Sequence, residues 1–461
     1  MTLVIVVILL IAYVLIATEL LTKVNKAAVA VFAGTVGWIL YICYGTDFVM
    51  SQHPNDYFDF LSGAVPTSSV VKEYIAQDVF LKYVGRGAEI VLFLLATMTI
   101  VEILHNNGCF DFVSQLLKTR RSRRLLWALS IITFIISANL DNLTTTVMML
   151  TVMRRVVPQL RMRLYFGAAI VLAANCGGAL TVIGDPTGLF LWNMGHVTPT
   201  AYSSAMALPC LTAWLLPTWW IGRSLPETTE TEWVTMPYRG DDTRLTVWQR
   251  VLMLFVGIGG LWFIPTFHNI TKLSPFLGAL CVLAVLWIVN EVVNRKLMNS
   301  DEMILRRIPR VVQYGVIQMI LLVLGIMLAV GVVKETGVLA TLGHWMDDNV
   351  GNLLAVGIIT QTLSMVLDNF TTAMSMVSLH DTVVGTVQTL GDDIQYMQNG
   401  SYWKMIAFAA GVGGNALCIG SLSGLALMKM ERIRLAWYFR NVGWKALVGS
   451  TIGLIVLYAM L

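Results

Sequence analysis

An all-α polytopic membrane protein is the fold the sequence predicts, with about ten transmembrane helices plus two re-entrant helical hairpins in two inverted-topology repeats. Three observations predict it. The 461 residues are 57% hydrophobic and only 13% charged, with a mean hydropathy of +0.72, far from the composition of a water-soluble domain. Apolar runs long enough to span a bilayer recur along the whole length. Motifs of the first half return, in the same order, in the second.

The runs include Thr2 to Leu21, Ala27 to Tyr44, Gly87 to Leu104, Val251 to Phe267, Leu277 to Val293 and Val316 to Val333, and no soluble domain fits between them. The first has no basic n-region and no small-residue cleavage site before Lys23 and Lys26, so it reads as a retained helix. Six cysteines lie singly in or near apolar runs, without the CxxC spacing of zinc or redox sites. The net charge of +4 is too weak and dispersed for nucleic acid.

The duplication rests on three collinear matches. Leu140-Asp141-Asn142-Leu143-Thr144-Thr145 returns as Leu367-Asp368-Asn369-Phe370-Thr371-Thr372, displaced by 227 residues, with Ser137 matching Ser364. Gly177-Gly178, Ile183-Gly184 and Thr187-Gly188-Leu189 return as Gly413-Gly414, Ile419-Gly420 and Ser423-Gly424-Leu425, displaced by 236. Leu95, Met98 and Gly108 match Leu324, Met327 and Gly337, displaced by 229. Residues 1–222 form the first repeat, 223–250 a cytoplasmic linker and 251–461 the second repeat.

Charge placement orients the repeats. Leu125 to Met153 lies between Lys118, Arg120, Arg121, Arg123 and Arg124 on one side and Arg154, Arg155, Arg161 and Arg163 on the other, so both ends favour the cytoplasm. Its counterpart, Leu353 to Leu379, lies between Asp347-Asp348 and Asp381, Asp392 and Asp393, so both ends favour the outside. A segment of 29 residues that enters and leaves on one face is a hairpin, with arms of about 20 Å that reach the middle of a ~30 Å core. Each half then crosses five times, and the odd number inverts the second half. The loops agree: Lys23 and Lys26 inside, Asp47 to Gly85 outside, Arg295, Lys296, Arg306, Arg307 and Arg310 inside, Lys429, Arg432, Arg434 and Arg440 inside. The protein is expected to be multi-pass with both termini outside.

The hairpin tips, about 125–153 and 353–379, carry Asp141 and Asp368. A carboxylate at the bilayer centre costs roughly 2.5–3.5 kcal/mol on insertion scales, so such residues face a protein-lined cavity and mark an ion or proton path. Asn142, Thr144, Thr145, Asn369, Thr371 and Thr372 add hard oxygen donors of the kind alkali cations prefer. Capping of the second arm alone explains one polar residue per tip and not a duplicated Asp-Asn-x-Thr-Thr cluster. The runs at about 164–192 and 403–430 are broken helices: Gly177, Gly178, Gly184, Pro186 and Gly188 interrupt the first, where backbone at that depth must line a site or be buried. Asp185 stands in the first break where Ser421 stands in the second. Asn175, Thr181, Thr187, Asn415, Ser421 and Ser423 are further candidates for the ion or proton path. Glu102, near the inner end of its span, is either a snorkelling carboxylate or a proton entry point.

Ser137 to Thr146, with Gly177-Gly178, Ile183-Gly184-Asp185 and Leu367-Asp368-Asn369, resembles the NhaD-type sodium/proton antiporters of the ion transporter superfamily, from about Gly87 to the C-terminus. In the related dicarboxylate carriers similar tips carry Ser-Asn-Thr without a carboxylate. The resemblance implies exchange of Na⁺ or Li⁺ for H⁺, with Na⁺ at Asp141 and Asp368, in the bacterial inner membrane. It also implies scaffold and transport domains, a homodimer and elevator-like movement. The sequence departs from the family pattern at Gly184-Asp185-Pro186-Thr187-Gly188, where more threonines are usual.

No enzyme and no cofactor are expected. An intramembrane aspartyl protease needs a Gly-x-Gly-Asp run that is missing here, and a channel does not need duplicated hairpins. The alternative is a carrier of another ion or small anion, dicarboxylate or arsenite-like, of the same superfamily. Three Asp and no Lys or Arg are expected at midplane depth, which disfavours anions.

Overall fold

Helices dominate the computed structural model, which describes residues 1–62, 65–110, 112–113, 117, 119–231, 245–294, 314–383 and 391–461. The apolar runs become α1 (Thr2–Ala17) and α2 (Lys26–Cys43), followed by the short α3 (Gly45–Gln52) and α4 (Pro54–Leu61) and the long α5 (Ser68–Asn106). Then come α6 (Ser122–Ser137), α7 (Asn142–Val156), α8 (Leu160–Gly178), α9 (Pro186–Asn193) and α10 (Pro199–Arg223). The second half holds α11 (Val247–Thr271), α12 (Pro275–Val293), α13 (Tyr314–Glu335), α14 (Val338–Asn349), α15 (Leu353–Val366) and α16 (Asn369–Val377). It ends with α17 (Ser401–Gly413), α18 (Leu422–Glu431) and α19 (Leu435–Met460).

Seven of these, α2, α5, α10, α11, α12, α13 and α19, are long and apolar enough to cross a membrane. The other three expected spans are α1, with 16 residues, and the two interrupted helices α8–α9 and α17–α18. Lys118, the basic residues Arg295, Lys296, Arg306, Arg307 and Arg310, and 232–244 of the linker lie outside the described residues.

One expectation about the loops needs correction. Asp47 to Gly85, read as a loop, is mostly helix, and α5 begins at Ser68 and runs 39 residues, about 58 Å at 1.5 Å per residue. Thr67 caps its start, accepting from the Val70 amide at 3.4 Å, and the polar residues that suggested a loop are a solvated face: α4 buries Tyr57 and Leu61 and exposes Asp56 and Asp59. The start of the linker, 227–230, docks on α6: the Ser122 amide donates to the Glu227 carbonyl at 3.1 Å and the Thr229 amide to that of Arg120 at 3.0 Å.

That segment relates the two ends of the first hairpin sequence. Thr229 shares a 2.5 Å hydrogen bond with Ser122 at the start of α6, while the adjacent Glu230 accepts from Gln159, just beyond α7, at 2.9 Å. In the second half, Asp347 in the last turns of α14 lies 3.7 Å from His380, just beyond α16, and accepts from Tyr396 at 2.7 Å.

The helices pack in two groups. In one, α2 lies along α13, α5 lies between α12 and α13, and α1 and α11 close the sides. In the other, α6 packs on α8, α15 on α17, α10 on α19, and α7 between α8 and α18. The groups touch where α13 meets α16 and α9 meets α5.

Small residues permit the closest approaches within the second group, as helices in lipid require. Ser137 donates to the Ala174 carbonyl and Ser364 to that of Ala410, both at 2.6 Å. A Cβ on Gly413 would sit 2.7 Å from the Gln361 carbonyl oxygen, and one on Gly177 would collide with that of Phe134. These are the same contacts in each half, between residues displaced by 227 and 236 positions.

Candidate ion site at the hairpin tips

Both tips are built by a cap. After α6 the chain turns through 138–140, and Asp141 takes up extended backbone before α7. Its carboxylate accepts from the Thr144 amide at 2.7 and 3.2 Å and from the Thr144 hydroxyl. Asp368 repeats this before α16, with the Thr371 amide at 3.0 Å and hydroxyl at 2.8 Å. Capping is therefore real at both tips, and the hydroxyls of Thr144 and Thr371 are spent as donors to the aspartates. Both carboxylates are only 4% exposed. A carboxylate offers about four lone-pair directions, so a cap leaves acceptor capacity at each.

The break in the first half delivers a third carboxylate. Beyond α8 the chain is non-helical until Asp185 caps α9, accepting from the Thr187 amide at 2.8 Å. Its other oxygen accepts from Asn142 of the first tip at 2.7 Å and from Asn369 of the second at 3.1 Å. In the second half Ser421 caps α18 from the equivalent position, accepting from Gly424 at 3.0 Å. The repeat is thus symmetric in backbone and asymmetric in charge.

Around this centre the neutral candidates join up. Asn175 donates to Asn415 at 2.8 Å and to Ser421 at 3.0 Å, and Ser423 donates to the Asn142 carbonyl at 3.1 Å. Thr181 ties the break to the first tip through the Ala138 carbonyl at 2.6 Å. The hydroxyls of Thr145 and Thr372 and the amide oxygen of Asn369 are buried without a hydrogen-bond partner among the described residues. Buried polar oxygens are normally paired, and Asn369 lines the cavity beside Asp185 and Asp368, where an unpaired oxygen suits a cation.

A small cavity at the junction of the two helix groups is lined by Asn142, Asp185, Asp368 and Asn369, with Met319 and Val323 of α13 opposite. Asp185, not Asp141, shares it with Asp368. Among the described residues no three His, Cys, Asp or Glu side chains converge to hold a metal, so a cation here would draw on mixed carboxylate, amide, hydroxyl and carbonyl oxygens. Glu102, in α5, accepts from Asn106 on its own helix at 3.2 Å.

One expectation fails at the second tip. Lys26, assigned to a cytoplasmic loop, is 7% exposed, and its ammonium lies 3.6 Å from Asp368. The tips are therefore not free of cations. A sequence signal existed: Asn25 caps α2 through the Ala27 amide at 2.8 Å, which puts Lys26 at the first helical position, where the helix dipole disfavours a cation and an anion must compensate.

The family model described as "Citrate transporter" matches residues 1–413. Among curated relatives, sodium/proton antiporter 2 of Arabidopsis thaliana is 31% identical over 81% of this chain and 85% of its own length. Sodium/proton antiporter 1 of the same plant is 32% identical over 80% of this chain, which spans only 61% of that relative. The Na(+)/H(+) antiporter NhaD of Vibrio cholerae is 28% identical over 74% of this chain and 71% of its own. With the paired Leu-Asp-Asn tips in place and matches of this extent, the chain belongs to the NhaD-type sodium/proton antiporter family of the ion transporter superfamily.

Proposed function

We propose that the protein is a secondary antiporter that exchanges Na⁺, or Li⁺, for H⁺. The observation that carries this reading is the arrangement of three buried carboxylates, Asp141 and Asp368 at two equivalent tips and Asp185 in the helix break, joined to both tips through Asn142 and Asn369. The names of the relatives, sodium/proton antiporters of a plant and a bacterium, support it.

A carboxylate in a secluded site is stable when a proton or a cation neutralises it. Proton and sodium compete for the same oxygens, so a site free to cross only when neutralised exchanges one for the other. The group of α6–α10 with α15–α19 is the candidate transport body, and the group of α1, α2, α5 and α11–α13 the candidate scaffold, in an elevator-like movement. Two inverted repeats with same-side hairpins are supported by the repeated contacts and by the links that bring each hairpin's ends together. A homodimer in a bacterial inner membrane completes the reading.

A second reading has a specific observation behind it, the citrate description of the matching family model. Asp141 and Asp368 at the tips and Asp185 in the break would repel a carboxylate anion, and Lys26, the cation at the second tip, is already paired with Asp368.

One experiment separates the two. Protein in liposomes containing a pH-sensitive dye is challenged with sodium, lithium or citrate. Sodium or lithium should move protons in the parent and fail to do so in Asp141→Asn and Asp368→Asn, which keep a capping side chain. Citrate uptake without a sodium response would overturn the proposal.

A further inference from the structure

Two charged side chains beside the second tip have no part in that exchange as described, Lys26 and Glu19. We propose that Lys26 is a tethered competitor for the transported cation. Its ammonium holds Asp368 and ties the second hairpin to α2 while the site is empty, and moves toward Glu19 when the cation binds. The inference rests on the antiport reading and names a positioning residue within it.

The ion pair crosses between the two helix groups. Lys26 opens α2, which packs along α13, whereas Asp368 caps α16 at the hairpin tip. Both partners are buried, and the separation is 3.6 Å. A buried ammonium is costly without its anion, and the helix start that carries Lys26 offers it no compensation. The pair is therefore a contact that α2 and the hairpin keep together or lose together.

Somewhere must exist for the ammonium to go. Glu19 lines the same small cavity as Lys26 and Asp368, with Val366 and Ile419 on its wall, and one of its carboxylate oxygens is buried without a hydrogen bond among the described residues. A neutral contact, Tyr13 with Ser375 at 2.6 Å, joins α1 to α16 in the same state in which Lys26 holds Asp368.

Two consequences follow. A cation reaching Asp368 must displace a charge that is already there, so Lys26 lowers the apparent affinity. While the pair is intact the empty hairpin is held to α2, so return without cargo is suppressed.

The test measures sodium binding in detergent and sodium and proton flux in liposomes, for the parent, Lys26→Gln, Lys26→Arg and Glu19→Gln. Lys26→Gln should bind sodium about tenfold more tightly and leak sodium down its gradient without matching proton flux. Lys26→Arg, which keeps the charge, should bind and couple like the parent. Should Lys26→Gln fail to fold, Glu19→Gln carries the test: with the parking place removed, sodium binding should weaken. If the foldable variants match the parent in affinity and coupling while the parent exchanges sodium for protons, the tether is wrong and the antiport reading stands. If the parent itself moves no protons with sodium, both fall.

Discussion

Asn142 and Asn369, the equivalent asparagines of the two tips, donate to the same oxygen of Asp185, from 2.7 and 3.1 Å. A residue that occurs in only one repeat thus connects both, and the pseudo-symmetric backbone carries a site that is asymmetric in charge. Removing Asp185 acts on two tips at once.

Asp185→Ala leaves the amide donors of Asn142 and Asn369 facing a buried void. At about 1–3 kcal/mol for each unsatisfied buried donor, its thermal midpoint in detergent should fall clearly below the parent's. Asp185→Asn keeps one acceptor oxygen, which caps α9, and its new amide donor is satisfied if Asn142 or Asn369 turns its own oxygen toward it, so the variant should stay folded with sodium binding intact. Its proton-to-sodium ratio or pH profile should shift. A parental ratio and profile in Asp185→Asn would make Asp185 purely structural.

The glycine pairs give a prediction about packing. A Cβ on Gly184 would lie 2.6 Å from the Ser137 carbonyl oxygen, and one on Gly420 would collide with that of Ser364, whereas one on Gly85 would meet nothing within 4 Å. Alanine at 184 or 420 should cost about 1–3 kcal/mol through forced backbone shifts. Gly85→Ala, in the interior of α5, should be neutral or gain about 0.5–1 kcal/mol. Midpoints in detergent for the three variants check this, and equal values would remove the close-packing account of the breaks.

His53, between α3 and α4, faces Glu335 at 2.6 Å, with Asp56 and Lys82 in its surroundings. The Glu335 hydrogen bond holds the imidazole above its ordinary value, against burial, which pushes it down. A folded value above the unfolded one means that the stabilisation is present in full below about pH 6.5 and is lost as pH rises through the raised value. Between about pH 6 and about pH 9 the parent's midpoint should fall more steeply than that of His53→Gln. Parallel curves would show that the pair contributes nothing.

Local chemistry was legible in the sequence, and distant pairing was not. Gly177-Gly178 and Asp185-Pro186 declare a broken helix because glycine and proline disrupt it wherever they stand. Asp141 and Asp368 declare a cap by their position before a polar turn. The position of Lys26 escapes charge placement, which reads a lysine by its neighbours in the chain, because its partner is Asp368, in the other half. The role of Asp185 as a link was hidden for the same reason: its donors come from two other elements. The stretch from 47 to 85 reads as a loop in the sequence because amphipathic helices outside the apolar core have polar composition, and composition alone does not separate the two.

The arrangement of each hairpin yields the last prediction. Ser122 and Gln159, on either side of α6 and α7, both bond to the segment 227–230, through Thr229 at 2.5 Å and Glu230 at 2.9 Å. Asp347 and His380, on either side of α15 and α16, lie 3.7 Å apart. The two ends of each segment are therefore near one another, which a single tilted crossing of 30 Å or so does not allow. If basic flanks mark the cytoplasm, the first pair of ends faces in and the second faces out. Single cysteines at Arg121 and Arg161 should react with a membrane-impermeant maleimide from the cytoplasmic face, in everted vesicles. Cysteines at Asp348 and Asp381 should react from the other face, in intact cells. The background must lack the exposed native thiols, Cys43 and Cys281. Labelling of Arg121 and Arg161 positions from opposite faces would sink the hairpin, and with it the odd number of crossings that inverts the second repeat.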